Sequence, residues 1–105
     1  MDSEAGQNST EYEGVFHFDA ADPIYETHFP QYPVVPGSLI IQAFLQALQE
    51  NGIACQGLRI ENFSFREFLP PGVCRFSIAR RGGILECRIT KDGKKIASGI
   101  LSYET

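Results

Sequence analysis

Ser38-Leu39-Ile40-Ile41-Gln42-Ala43-Phe44-Leu45-Gln46-Ala47-Leu48-Gln49-Glu50 is the stretch whose reading decides the fold. Pro36-Gly37 opens it, Ser38 is able to cap or enter a helix, and Asn51-Gly52 closes it in the left-handed manner of a helix C-terminus. Leu39, Ile40, Ile41, Ala43, Phe44, Leu45, Ala47 and Leu48 occupy nearly the whole circumference, which predicts a buried helix. The polar exceptions Gln42, Gln46 and Gln49 are spaced i, i+4, i+7 and share one face.

Beyond the helix the hydrophobic period changes from 3.6 to 2. Leu58 and Ile60 alternate, then Phe63 and Phe65 alternate on the opposite phase, so a bulge is expected at Asn62. Pro70-Pro71-Gly72 turns the chain into a strand carrying Cys74, Phe76 and Ile78. Arg81-Gly82-Gly83 turns it again, into Leu85, Cys87 and Ile89. Asp92-Gly93 is a two-residue hairpin signal before a last strand over 96–103. On the N-terminal side, Gly14-Val15-Phe16-His17-Phe18 reads as a first strand, ended by Asp22-Pro23. Pro23, Pro30, Pro33 and Pro36 exclude a regular helix or central strand between them. One helix and one antiparallel meander predict an α+β domain with the sheet wrapped around one long buried central helix. Residues 1–12, polar with little to bury, are expected to form a flexible tail, and 13–105 a single domain.

The totals agree with one small domain: 105 residues, 43% hydrophobic and 21% charged. A domain this small gains from an oligomer interface. The net charge is -4 and the basic residues form no run, which argues against nucleic acid as partner. The three cysteines, Cys55, Cys74 and Cys87, have no CxxC spacing and read as structural thiols of a reducing compartment. Nothing resembles a signal peptide or a membrane span, so a cytoplasmic protein is expected. Two separated histidines and scattered cysteines make no metal site, and no cofactor is expected.

Chemistry concentrates just before the helix. His28 stands in a proline-stiffened loop close in sequence to the helix start. Helix N-termini present free N–H groups and positive potential, which stabilise a developing oxyanion. Histidine is the side chain suited to general-base work near neutral pH. From the residues alone, His28 reads either as such a base or as a structural residue bonded to a loop carbonyl. His17, between Phe16 and Phe18, reads as a solvent-facing strand histidine. Gly82-Gly83 is a turn and not a phosphate loop, because no helix follows it.

His28-Phe29-Pro30, then Pro33, then Pro36-Gly37, then an apolar helix with Ala43, Gln46 and Ala47 resembles the 3-hydroxyacyl-acyl-carrier-protein dehydratases of fatty acid synthesis. Phe65-Arg66 with Pro71-Gly72, and Lys91-Asp92-Gly93-Lys94-Lys95-Ile96-Ala97, extend the resemblance over about residues 14–103. The resemblance implies a hotdog fold and a homodimer or higher homo-oligomer with shared sites. It implies a lyase acting on 3-hydroxyacyl thioesters of acyl carrier protein or coenzyme A, in fatty acid or polyketide-type synthesis. On it, His28 is the base, the Gly37 N–H the oxyanion donor, and Gln42 occupies the catalytic acid position. Phe29, Pro36 and Gln46 contact substrate, and Arg80 and Arg81 are candidates to meet an acidic carrier. Phe63, Phe65, Phe68 and Phe76 read as core in preference to the lining of an acyl tunnel. Two residues depart from the pattern. Thr27 replaces a usual Gly, and Gln42 replaces a carboxylic acid, for which Glu67 is a possible stand-in. The alternatives are a hotdog acyl thioesterase, or a non-catalytic acyl-thioester-binding subunit of a hetero-oligomeric dehydratase whose partner bears the Glu.

Overall fold

The computed structural model describes residues 9–24 and 34–103. Among the described residues the elements follow one another as β1 (Ser9–Phe18), α1 (Gly37–Glu50), β2 (Leu58–Phe65), β3 (Gly72–Arg81), β4 (Ile84–Lys91) and β5 (Lys94–Tyr103), with the strands antiparallel. The sheet order is β1-β3-β4-β5-β2, so β1 and β2 are its two edges. This is the hotdog arrangement, with the sheet curled over one helix.

The turns form where the sequence places them. Asp92 and Gly93 both take positive φ, 54° and 78°, the geometry of a type I′ hairpin. The β2–β5 register slips between Ile60 and Asn62, leaving Glu61 as the extra residue of a bulge. A second slip between β4 and β5 was not signalled by alternation. It puts Ile96 and Ala97 both in the core.

Three expectations change. First, β1 begins at Ser9, so residues 9–12, assigned to a tail by composition, are strand. Thr10 pairs with Arg80 and Tyr12 with Ile78, and β3 supplies hydrogen bonds that polarity alone does not reveal. Second, α1 is buried on one side only. Ile40, Phe44, Ala47 and Leu48 face the sheet, whereas Ser38, Gln42, Gln46, Gln49 and Glu50 are exposed. A single sheet covers one side of a helix, and the glutamine face is the side left open. Third, of the expected core phenylalanines Phe65 is 45% and Phe68 80% exposed. Phe65 ends an edge strand and Phe68 lies on the following loop, so neither has a neighbour on both sides.

The core centres on Phe44, fully buried, whose ring meets Phe16 at 5.1 Å, Phe63 at 5.9 Å and Phe76 at 6.1 Å. Phe16 and Phe76 stack at 4.2 Å. Ile78, Leu85, Cys87, Ile89, Ala97 and Leu101 complete the inner sheet face.

Candidate active site

Two places on α1 carry the polar groups singled out in the sequence. The first is its N-terminus. Pro36, extended at ψ 145°, is the N-cap and has no side-chain cap bond, so Ser38 lies within the helix rather than capping it. The Pro36 carbonyl accepts from the N–H groups of Leu39 at 3.0 Å and Ile40 at 3.2 Å. The N–H groups of Gly37 and Ser38 have no acceptor among the described residues. Two free donors at a helix start make an anion-seeking position.

That end is held from β2 and the loop after it. The Val35 N–H donates to the Leu69 carbonyl at 2.8 Å, and both side chains are buried. The Phe65 ring lies against Gly37 so closely that a Cβ there would stand 3.1 Å from it. Gly37 is therefore favoured by this close approach and not by its φ, since a side chain there would push the ring outward by a few tenths of an ångström. Pro36 sets the chain's entry, the Val35–Leu69 bond pins it, and an aromatic ring roofs the first turn.

The second place is a cleft of about 470 Å³ between β1 and α1. Phe16, Phe18, Phe76, Leu39 and Ala43 give it apolar walls, and Gln42, Gln46, Glu50, His17, Asp19 and Asp22 give it a polar rim. The Gln46 amide donates to Glu50 at 3.4 Å. Gln42 and Gln46 thus share one site, as their i, i+4 spacing predicts. Leu39 of the first turn lines it but Gly37 and Pro36 do not, because Gly37 and Gln42, five residues apart, lie on different sides of the helix. His28 and Phe29 lie outside the described residues.

The rim also holds groups the sequence reading passed over. Glu50, two turns beyond Gln42, stands one turn beyond Gln46 on the same cleft. Asp19 and Asp22 sit in the turn after β1, where their carboxylates accept from the N–H groups of Ala21 at 2.9 Å and Ile24 at 3.0 Å. His17, at the end of β1, is exposed as expected and also reaches the rim. An Asp-x-x-Asp turn ending the strand opposite the helix is the signal that could have located this edge. Glu67, weighed as a stand-in acid, is exposed and away from the cleft. Among the described residues no group of three or more His, Cys, Asp or Glu is placed to hold a metal. Among them, too, no helix is long and apolar enough to cross a membrane.

Comparison with known proteins gives a consistent set. The FabA-like domain matches residues 2–99. The 3-hydroxyacyl-[acyl-carrier-protein] dehydratase FabZ of Streptococcus pneumoniae is 31% identical over 96 residues, covering 78% of this chain and 69% of that protein. The FabZ of Streptococcus equi subsp. zooepidemicus is 35% identical over 97 residues, with the same coverages. Among solved structures, the dehydratase heterocomplex ApeI:P from Xenorhabdus doucetiae superposes with TM-score 0.68 at 20% identity, over 95% of this chain and 90% of that one. The fluoroacetyl-CoA-specific thioesterase FlK superposes with TM-score 0.56 at 14% identity, over 90% of each chain.

Proposed function

This chain belongs to the FabA-like domain family, and from that premise we propose that it is a dehydratase-like protein acting on 3-hydroxyacyl thioesters of acyl carrier protein or coenzyme A. The observation that carries the reading is the pair of free N–H groups at Gly37 and Ser38, held against a roofed and pinned helix start. A thioester carbonyl placed there gains charge when its α-proton leaves, and preorganised donors stabilise that charge. His28 is the base that takes the α-proton. The β-hydroxyl then leaves, and the new C–C double bond forms from the electrons left by the C–H bond.

The departing hydroxyl requires a proton. Gln42 can hydrogen-bond it but cannot supply one at neutral pH. The proton is therefore the one His28 took from the α-carbon, returned to the hydroxyl as water leaves, and the absence of a separate general acid costs about 10²–10⁴ in rate. Gly37 and Gln42 lie on different sides of α1, which supports a site shared between two chains, His28 and Gly37 of one meeting Gln42 and Gln46 of the other. The same glutamine supports a second reading. In a hetero-oligomer, this chain gives His28 to a site completed by the carboxyl of a Glu-bearing hotdog subunit.

Purified protein assayed on 3-hydroxyacyl and enoyl thioesters, with hydration and hydrolysis followed together, tests the proposal. Slow interconversion without hydrolysis is the expected result, and His28→Ala should remove it while leaving the melting temperature nearly unchanged. Thioester hydrolysis without hydration would replace the dehydratase reading with the thioesterase one.

A further inference from the structure

Folding gathers cations that the sequence scatters. The buried positions of β3 and β4 are Cys74, Ile78, Leu85, Cys87 and Ile89, so Arg75 and Arg88 point to the opposite, outer face of the sheet. Lys95 joins them on β5, where it pairs with outward-facing Thr90. Arg75 pairs with Thr90 from the other side, and Arg88 lies between Ser77 and Ser98. Cross-strand and diagonal neighbours on one sheet face are about 5–8 Å apart. Three cations therefore surround a floor of hydroxyls.

Lys91 and Lys94 flank the adjoining hairpin turn, so Arg75, Arg88, Lys91, Lys94 and Lys95 place five of the chain's nine basic residues in this region. Among the described residues, Arg75, Arg88, Lys94 and Lys95 have no ion pair. The neighbouring Glu86 is taken by Arg81 at 2.6 Å. Val15 and Val73, 60% and 55% exposed, line the grooves beside Arg75 and Thr90, and Glu13, opposite Ser77 on β1, is the carboxylate at that margin, outnumbered by the five cations.

We propose that this outer sheet face docks an acidic protein that presents carboxylates interleaved with apolar side chains. Charge complementarity supplies the argument. The chain as a whole carries -4, so an acidic partner is repelled elsewhere and steered to this face. The exposed valines favour a protein surface over a nucleic acid, and no outward position of β1, β3, β4 or β5 carries a Phe or Tyr on which a base would stack. The face is across the sheet from α1, so an occupant here leaves the Gln42 cleft open. The inference does not depend on catalysis by that cleft.

The probe is a fluorescent helical peptide of alternating Glu and Leu, set beside a Lys/Leu peptide of the same length and a single-stranded DNA 20-mer. The full chain should bind the acidic peptide preferentially, and less tightly as salt is raised. Arg75→Gln, Arg88→Gln and Lys95→Gln together should weaken binding by about tenfold or more, while Arg59→Gln, at the far end of the sheet, should leave it unchanged. Amide NMR shifts of wild type on titration should cluster at Ser77, Thr90 and Ser98, a readout independent of whether the triple variant folds. Shifts confined to α1, tighter binding of the DNA, no binding of the acidic peptide, or full binding by a folded triple variant would each overturn the proposal.

Discussion

At Gln42 the functional question is a matter of one atom group. Glutamine and glutamic acid have nearly equal volume, so Gln42→Glu should fit without cavity or clash. The new carboxyl can donate the proton the amide cannot. With a shared dehydratase site, dehydration of a 3-hydroxyacyl thioester should rise about tenfold or more, below the full general-acid factor. An unchanged rate in a folded variant would separate this cleft from dehydration. Gly99 makes a comparable test of packing. The Phe63 ring lies over it, and an added Cβ would stand 2.1 Å from that ring. β2 and β5 pair Phe63 with Gly99, so a side chain at 99 would have to displace the ring from the inner face. Gly99→Ala should cost about 1–3 kcal/mol in urea unfolding, and Phe63→Leu in the same chain should recover part of it.

Among the elements, legibility followed the periodicity of side chains. β3 and β4 were plain because Cys74, Ile78, Leu85, Cys87 and Ile89 alternate without interruption, and the Asp92-Gly93 turn because its left-handed geometry selects its residues. The N-terminal half of β1 was not plain, since Thr10, Glu11 and Glu13 are polar and only pairing to β3 orders them. Apolar residues on every side of α1 suggested total burial, but a helix side is buried only where something covers it. The cleft rim escaped because Asp19, Asp22 and Glu50 are distant in sequence and meet only through the fold. Cys87 gives β4 a measurable signature. Its burial raises the thiol from 9.0 to about 12. The unfolded thiol ionises near its ordinary value and the folded one does not, so its contribution is complete below about pH 9 and is lost as pH climbs toward 12. Unfolding midpoints should therefore fall over that window, and less so in Cys87→Ala after allowing for its lower baseline. Native labelling by a thiol reagent should reach the half-exposed Cys55 first and Cys87 last.

For the whole molecule, a single chain leaves two surfaces open. The glutamine face of α1 is open, and Ile60, Phe65 and Phe68, at 52%, 45% and 80% exposure, lie on the edge strand β2 and the loop after it. Large exposed apolar side chains beside a free sheet edge are a surface that proteins normally cover. A second copy docked on that edge would do so. Complementation between two variants decides whether the site is shared. One chain carries both His28→Ala and Gln42→Glu, so it has the acid and lacks the base. The other is wild type, with the base and without the acid. Each alone should be slow or inactive as a homomer. If His28 works with position 42 of its partner, mixed dimers formed by co-refolding contain one site with wild-type His28 facing the introduced carboxyl, and dehydration should exceed that of either homomer. Activity should then peak at an intermediate mixing ratio, because only heterodimers hold the complete pair. If His28 and position 42 serve one site within a single chain, no mixture can unite base and acid, and activity should follow the wild-type fraction in a straight line.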